Sequence, residues 1–399
     1  MSVLGQAIRR VEAARDGVDL IELFAGAGGA SLGLERAGWG RSLMVERNPW
    51  AAATLRAAVD GGRLNGLVVE QDVRTVDWRP WRGARAVWSS WPCQPHSVAG
   101  RRRAAGDERD GWPWTLRCLD AVRPTWFMGE NVQGILLHKR GCGGRSVRTC
   151  SGCYTQKVIL PSLRERFAWA GVRVIDAADL GTPQHRARAI FIAGPRLVPW
   201  PDATHAPFEI ARDLGLRPYR TMLDALDPDT WGHLEPVYSG YRQSELGSLP
   251  AQRRQEIEGW GMDDWYCAHC DALVSSGACF CPSPSVAQEL LDRPAPTLAG
   301  GSERSHVSGG SVLSATKSTR DRLLWGLRRY RTKREDDLWV SLVMGKISVE
   351  EATALAGFPL GWPFAGSDQR KYRQIANSVA PQVAEAIGRA VLERAMMAR

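Results

Sequence analysis

Short apolar segments alternate with amphipathic segments along much of the chain. Segments typical of strands occur at 19–24, 42–45, 68–72 and in the later half of 181–192. Helical patterns occur at 32–37, 115–122 and 381–397. Because strands and helices alternate, we predict an α/β fold in which a doubly wound parallel sheet carries helices on both faces.

The middle of the chain departs from this alternation. Residues 196–291 are rich in Pro, Trp, Tyr and Asp and show no regular succession of strands and helices. We therefore predict a larger domain that begins at 1–195, a smaller irregular domain at 196–291, and a hinge with a return to the larger domain at 292–399. The hinge is predicted at 293–297, where two prolines limit backbone freedom.

A glycine-rich turn at 25–31 joins the first predicted strand to the first predicted helix. Gly26 and Gly28 would let the backbone approach a ligand closely, and Glu46, which ends the next strand, could hold a ribose diol. Asp72, at the end of the third strand, could accept a hydrogen bond from an adenine amino group. On this loop alone, an NAD site, another nucleotide site and ordinary turn chemistry are all compatible with the sequence.

A cysteine, Cys93, follows an apolar, strand-like segment, and Arg101, Arg102 and Arg103 come shortly after it. Positive charge favours the thiolate, which is the nucleophilic form of cysteine. For a cysteine taken alone, a buried structural role is the stronger interpretation. The other motifs in the chain favour the nucleophile.

Six sequence blocks occur in a characteristic order. They are Phe24-Ala-Gly26-Ala-Gly28, Glu46 followed by Asp72, Pro92-Cys93-Gln94, Glu130-Asn131-Val132, Gln184-His-Arg186-Ala-Arg188 and Gln374-Ile-Ala-Asn377-Ser378-Val379. In order and approximate spacing they resemble the DNA (cytosine-5)-methyltransferases, over about 19–195 and 292–395. The resemblance implies a Rossmann-like S-adenosylmethionine-dependent methyltransferase domain and a smaller irregular target-recognition domain at 196–291. It implies that the cofactor is bound by Phe24, Gly26, Gly28, Glu46, Asp72, Pro92 and Asn377.

The same resemblance implies a reaction. Cys93 would add to carbon 6 of cytosine as a covalent nucleophile, so that carbon 5 can take a methyl group. Glu130 would protonate ring nitrogen 3, while Arg186 and Arg188 would hold the cytosine carbonyl and help to order the nucleophile loop. The base must first rotate out of the duplex, at a cost of a few kcal/mol.

The basic segment 97–107 would close over the rotated base. Contacts with DNA are predicted at Gln94, Ser97, Arg101 and Thr297. A second basic run at 317–334 is predicted to contact phosphates, with a solvated helix face as the alternative. The formal net charge of +9 suits a polyanionic partner, although it fits a membrane surface or simple solubility equally well.

Seven of the nine cysteines fall into two clusters, an arrangement that favours metal binding over disulfides in an intracellular protein. The first cluster is Cys267, Cys270, Cys279 and Cys281, whose spacing can place four thiolates around a structural zinc ion. The second is His138, Cys142, Cys150 and Cys153, a weaker candidate for a second zinc site. Unligated thiols are the alternative for both clusters. Cys118 is predicted to pack in the core.

The sequence therefore predicts a sequence-specific enzyme that acts on double-stranded DNA as a monomer. A location in the cytoplasm, associated with the nucleoid, is expected, since no apolar stretch is long enough to span a membrane. A cognate restriction endonuclease is a candidate partner. The alternatives are an RNA cytosine-5 methyltransferase, a catalytically silent homologue that binds nucleic acid and, least favoured, a nicotinamide-dependent oxidoreductase.

Overall fold

The computed structural model describes residues 17–92, 110–138, 150–225 and 349–397, and the backbone of four short strands at 264–267, 272–275, 298–299 and 313–314. A seven-stranded sheet lies at its centre. Its strands are β1 (Val18–Leu23), β2 (Arg41–Glu46), β3 (Gly66–Glu70), β4 (Ala86–Ser89), β5 (Trp126–Val132), β6 (Trp169–Asp176) and β7 (Ala187–Gly194). They are arranged in the order β3-β2-β1-β4-β5-β7-β6.

The first five strands pair in parallel, whereas β7 pairs antiparallel with both β5 and β6. The short connection 177–186 explains this reversal, because a parallel crossover needs a dozen or more residues, usually with a helix. The predicted α/β fold class is confirmed, with β7 as the antiparallel strand of the sheet.

Five of the described helices lie between consecutive strands of the central sheet, and the others lie further along the chain. In chain order the helices are α1 (Gly29–Arg36), α2 (Pro49–Asp60), α3 (Trp112–Val122), α4 (Ser151–Tyr154), α5 (Leu160–Arg164), α6 (Phe208–Ala211), α7 (Met222–Ala225), α8 (Val349–Leu355), α9 (Asp368–Asn377) and α10 (Pro381–Met396). One π-helical turn, Thr155–Ile159, links α4 to α5. Short 3-10 turns lie at Arg79–Trp81, Gln133–Leu136 and Ala177–Leu180. No helix in these ranges is both long enough and apolar enough to cross a membrane.

Helices cover both faces of the sheet. On one face Trp91, Trp112, Phe127 and Phe191 form an aromatic cluster with neighbouring ring centroids 4.9 to 5.9 Å apart. On the other face, residues of α1 and α10 pack against β1, β4 and β5. A third cluster joins α2 to the C-terminal helices α8 and α9. The last part of the chain thus packs into the same unit as the first strands.

Two glycines set the distance between α1 and the start of α10. A Cβ atom at Gly29 would lie 2.1 Å from the carbonyl oxygen of Val379, and one at Gly33 would lie 2.2 Å from that of Pro381. Both distances are far inside van der Waals contact, so neither position can carry a side chain unless the helices move apart.

The beginning of the predicted smaller domain contacts the larger one. Val198 is fully buried in the cluster that contains α10. The hydroxyl of Tyr219 donates to the carboxylate of Asp179 at 2.7 Å, and the amide of Thr204 donates to the Asp179 carbonyl at 2.8 Å. These contacts attach the strand pair β8 (His205–Ala206) and β9 (Arg217–Pro218) to the turn Ala177–Leu180. The three-part division of the chain stays a prediction.

The structure describes little of the remaining middle segment. It places an antiparallel pair, β10 (Asp264–Cys267) with β11 (Ala272–Ser275), and a parallel pair, β12 (Leu298–Ala299) with β13 (Leu313–Ser314). The predicted hinge at 293–297 lies outside the described residues, as does the basic run at 317–334.

Candidate active site

A cavity of about 370 Å³ opens at the carboxyl ends of β1, β2, β4 and β5, where open parallel sheets bind ligands. Residues from most of the predicted motifs line it. They are Phe24, Gly26, Glu46, Pro92, Glu130, Arg186, Arg188 and Asn377. Their neighbours in the lining include Asn48, Trp50, Asn131, Arg370, Arg373 and Gln374. The fold thus brings residues from distant parts of the chain into one site.

The glycine loop forms the wall of the cavity next to β1. Phe24 and Gly26 have φ values of 56° and 59°, in the left-handed region that is unusual for a residue with a side chain. The carboxylate of Glu46 accepts hydrogen bonds from the amide of Gly26 at 2.9 Å and from that of Asn48 at 2.7 Å. Glu46 therefore fixes the loop, and each carboxylate oxygen keeps a lone pair for a ligand hydroxyl.

Two predicted cofactor residues, Gly28 and Asp72, are not among those that line the cavity. Gly28 precedes α1 with a φ of 87° and faces Leu55. Asp72 lies two residues beyond β3 and pairs with Arg74 at 2.8 Å and with Arg47 at 3.3 Å. The hydrogen bond from Arg74 lowers the pKa of Asp72 to about 2 despite partial burial. Their roles in cofactor binding stay predictions.

The C-terminal segment closes the cavity from the other side. The indole of Trp362 donates to the carbonyl oxygen of Ala27 at 3.0 Å, next to the glycine loop. In α9 the side-chain carbonyl of Gln374 accepts a hydrogen bond from the Thr54 hydroxyl at 2.6 Å. The resemblance implied that residues around Asn377 return to the cofactor site. Asn377 lines the cavity, and its contact with a cofactor stays a prediction.

An ion pair lies in the part of the cavity formed by β5 and β7. Nε of Arg188 is 2.8 Å from Oε1 of Glu130, and the two side chains are 14% and 11% exposed. Arg188 is opposite Val132 in the antiparallel register, so its side chain reaches diagonally to Glu130. The guanidinium also donates to the carbonyl oxygen of Ala187 at 2.9 Å. These contacts orient both charged groups at the cavity wall.

Arg186 has a different environment from Arg188. Its buried Nη2 donates to the carbonyl oxygens of Ala376 at 2.8 Å and Ser378 at 2.7 Å, at the junction of α9 and α10. Its amide donates to the carboxylate of Asp176 at 2.7 Å. These bonds tie the C-terminal helices to β7. A direct contact between Arg186 and a cytosine carbonyl stays a prediction.

One residue of the Glu-Asn-Val block had no role assigned from the sequence. The side-chain amide of Asn131, 1% exposed, donates to the carbonyl oxygen of Trp91 at 3.1 Å. A buried amide requires a partner, so an asparagine in an apolar strand was the available signal. Pro92 follows Trp91 and lines the cavity, and Cys93 is the next residue in the chain.

A buried carboxyl group beneath the glycine loop was also missed. Glu22 is 1% exposed on β1, and the hydroxyl of Ser31 donates to its carboxyl oxygen. Burial, reinforced by the charge of Glu46, raises the pKa of Glu22 from 4.5 to about 8. Its position within an apolar run made it resemble an ordinary strand residue in the sequence.

The helix α9 presents two arginines that sequence analysis did not select. Arg370 and Arg373 line the cavity together with Gln374 and Asn377, a spacing that puts all four on one helix face. The guanidinium of Arg370 stacks over Trp50, 4.1 Å from the ring centroid.

Several predicted residues lie outside the described ranges. They are the nucleophile Cys93, the DNA contacts Gln94, Ser97, Arg101 and Thr297, and the metal ligands Cys142, Cys270, Cys279 and Cys281. For Cys267 only the backbone is described. Cys118 is fully buried in the core as predicted, and burial raises the pKa of its thiol.

The remaining members of the second cysteine cluster come together. The ligand atoms of His138, Cys150 and Cys153 all lie within 4.8 Å of one another. Both cysteines are buried, and His138 is exposed. The sequence predicted that these three residues lie close together, and in the described part of the structure they do.

Comparison with known proteins identifies the family of this chain. The family model for C-5 cytosine-specific DNA methylase matches residues 18–211 and 312–393. Type II methyltransferase M.NaeI of Lentzea aerocolonigenes is 27% identical over 390 residues, covering 94% of this chain and 74% of the relative. Type II methyltransferase M.NgoMIV of Neisseria gonorrhoeae is 26% identical over 393 residues, covering 94% and 96%.

Solved structures share the fold. The S. pombe Dnmt2 methyltransferase superposes with a TM-score of 0.52 at 15% identity, covering 94% of this chain and 98% of that one. The Entamoeba histolytica methyltransferase EhMeth gives 0.52 at 12% identity, covering 95% and 98%.

The matched ranges of the family model cover well over half of the chain and contain the residues that line the cavity. The resemblance identified from the sequence is thereby confirmed. Membership implies S-adenosylmethionine as the methyl donor and DNA as the substrate. The chain belongs to the C-5 cytosine-specific DNA methylase family and is a DNA (cytosine-5-)-methyltransferase.

Proposed function

We propose that this enzyme methylates carbon 5 of cytosine within a specific sequence of duplex DNA, through a covalent adduct with Cys93 on a base rotated out of the helix. One observation carries the proposal: a single cavity contains the Gly26–Glu46 contact and the Glu130–Arg188 ion pair, with Pro92 in its wall directly before Cys93. Since β1 and β4 lie between them, β2 and β5 are three strand spacings or about 14 Å apart, which leaves room for a cofactor beside a base.

The cofactor part of the cavity fits S-adenosylmethionine. A Cβ atom at Gly26 would have no protein atom within 4 Å, so a ligand can approach the backbone there. Phe24 offers an aromatic surface, and Glu46 offers carboxylate oxygens to a ribose. When bound, S-adenosylmethionine supplies an electrophilic methyl group from its sulfonium. Pro92 and Asn377 complete the proposed binding residues.

The part of the cavity around Glu130 and Arg188 is the proposed site of the rotated base, and we call it the base part. Its residues have distinct roles in the proposed reaction. The Cys93 thiolate donates an electron pair to carbon 6, and the electrons of the 5,6 double bond move to carbon 5, which takes the methyl group. Glu130 protonates or strongly hydrogen-bonds ring nitrogen 3, which makes the addition easier. Arg188 holds Glu130 and the cytosine carbonyl. The carbon 5 proton is then lost to solvent, which restores the double bond and expels Cys93 as thiolate, while ring nitrogen 3 returns its proton to Glu130.

The handling of DNA is proposed on more general grounds. Reaction at carbon 6 requires access above the ring plane, which stacking denies in a duplex, so the base must rotate out. Residues 196–291 would recognise the target sequence, with a structural zinc ion bound by Cys267, Cys270, Cys279 and Cys281. Gln94, Ser97, Arg101 and Thr297 would contact the DNA.

The names of the relatives support a biological setting. Several are Type II methyltransferases, which favours a role in restriction-modification beside a cognate endonuclease. We place the enzyme in the cytoplasm at the nucleoid, acting as a monomer because each rotated base needs only one cavity. The description of the matching family favours DNA over the RNA alternative.

Nucleoside mass spectrometry tests this function. Duplex DNA of mixed sequence and transfer RNA are incubated with the protein and S-adenosylmethionine, and 5-methylcytosine is measured. We expect product in DNA from the wild type and from Cys118→Ala, the control for loss of a thiol. No turnover is expected from Cys93→Ser, and Glu130→Gln should be slower by ~10²–10⁴-fold. Repeated turnover by Cys93→Ser, or product only in RNA, would reject the proposal.

A further inference from the structure

A histidine and two cysteines meet directly beyond the strand that carries Glu130. His138 lies two residues after the turn Gln133–Leu136 that follows β5, and Cys150 immediately precedes α4, which contains Cys153. Nδ1 of His138 is 3.6 Å from Sγ of Cys150 and 3.5 Å from Sγ of Cys153. One ring nitrogen therefore faces two sulfur atoms at almost equal distance.

Hydrogen bonding does not explain this symmetry. Nδ1 of an imidazole has one in-plane lone pair or one proton, so it makes one good hydrogen bond at a time. A tetrahedral metal ion explains both distances. With sulfur at about 2.3 Å and nitrogen at about 2.05 Å from the ion, the ligand atoms are about 3.6 Å apart.

The backbone around the cluster is shaped to hold the imidazole. A Cβ atom at Gly152 would lie 2.8 Å from Cδ2 and 2.9 Å from Nε2 of His138, so only glycine lets the helix start pack against the ring. The amide of Gly152 donates to the carbonyl oxygen of Leu137 at 3.0 Å. One turn along, the hydroxyl of Thr155 donates to the carbonyl oxygen of Ile135 at 2.8 Å. These bonds hold the two segments in register.

We propose that His138, Cys150 and Cys153 bind a structural Zn²⁺ ion that ties the end of the β5 turn to the first turn of α4. Nδ1 and two thiolates are the ligands, and the two thiol protons are released to solvent on binding. Water or a further side chain takes the fourth position. Cys142, the fourth ligand predicted from the sequence, lies outside the described residues.

The location gives the ion a function. Glu130 and Asn131 directly precede Val132, the last residue of β5, and His138 lies two residues beyond the turn that follows this strand. On the other side, the hydroxyl of Tyr154 donates to Asp110 at 2.5 Å, on the segment that leads into α3. The ion thus joins the chain at His138 to the chain at Cys150 and braces the neighbouring part of the cavity around Glu130, independently of the methylation chemistry.

Zinc content provides the test. The full chain is prepared with Cys267, Cys270, Cys279 and Cys281 all replaced by serine, so that the other predicted site cannot contribute. Elemental analysis should find about one zinc ion per chain, and about one ion fewer in the same protein carrying His138→Ala or Cys153→Ser. Cys118→Ala in that background is the matched control and should keep the ion.

Cobalt(II) supplies a second measurement that needs only the four-serine protein and no change at His138 or Cys153. Added to the four-serine protein, it should give the intense thiolate-to-cobalt absorption and the visible bands of a tetrahedral site. Circular dichroism confirms that each protein is folded. Equal zinc content with and without His138, or absence of thiolate-to-cobalt absorption from the folded four-serine protein, would overturn the assignment. Neither result bears on whether the enzyme methylates DNA.

Discussion

Asn131 holds the carbonyl oxygen of Trp91, two residues before the proposed nucleophile, through a buried hydrogen bond of 3.1 Å. The bond joins the end of β5 to the segment that follows β4. It couples the residue next to Glu130 to the chain that leads to Cys93. Asn131 is thus a positioning residue, acting through Trp91.

Loss of this bond should slow methylation more than it weakens substrate binding. In Asn131→Ala the Trp91 carbonyl loses its donor, and small displacements of a reacting group cost up to ~10²-fold in rate. We expect kcat to fall by about 10- to 100-fold with little change in KM for DNA. Steady-state kinetics check this, with the exposed Asn65→Ala as control. A higher KM for DNA with an unchanged kcat would contradict the positioning role.

The two arginines of the Arg-Ala-Arg motif should respond differently to lysine. Arg188→Lys loses the planar fork that contacts Glu130, so the single-turnover rate of methylation should fall while the free energy of unfolding changes little. Arg186→Lys cannot serve both the Ala376 and Ser378 carbonyls as well, and should destabilise the protein by about 1–3 kcal/mol. Urea unfolding and single-turnover kinetics on both variants separate these effects. Identical behaviour of the two would refute the division of roles.

Glu22 should make stability fall as pH rises. Its pKa is about 8 in the folded protein against 4.5 for an ordinary glutamate. Between these values the unfolded chain loses the proton and the folded protein keeps it, so rising pH favours unfolding. Glu22→Gln removes this contribution and should flatten the decline in unfolding free energy across that window. Urea unfolding of both proteins at several pH values tests the slope, and parallel curves would contradict it.

Gly33→Ala should destabilise the packing of α1 on α10. The new methyl group would collide with the Pro381 carbonyl, and overpacking of this kind costs about 1–3 kcal/mol. Gly61→Ala is a suitable control, because that position is exposed with an ordinary φ of −81° and its nearest neighbour, the Ala57 carbonyl, is 3.1 Å away. Thermal unfolding should show a lower midpoint for Gly33→Ala only. Equal midpoints would show that the helices adjust freely.

The sequence predicted the strands around Leu20, Val45 and Val69 because their apolar runs are short and bounded by turns. It also predicted residues that meet in the cavity, since each belongs to a motif whose spacing is characteristic. The reversal of β7 was not foreseen, because pairing direction depends on which strand lies next to it and not on local pattern. The hydrogen bonds from Arg186 to the carbonyl oxygens of Ala376 and Ser378 depend on tertiary contacts, which residue type alone does not reveal. The same holds for the burial of Glu22.

The hydrogen bonds from Arg186 span 190 and 192 residues of sequence, so they also constrain the order of events in protein synthesis. A chain still attached to the ribosome has made Phe24, Glu46 and Glu130 long before α9 exists. Its cavity lacks the wall that α9 provides until Asn377 has been made. The carbonyl oxygens that Arg186 contacts are therefore among the last parts of this cavity wall to be synthesised.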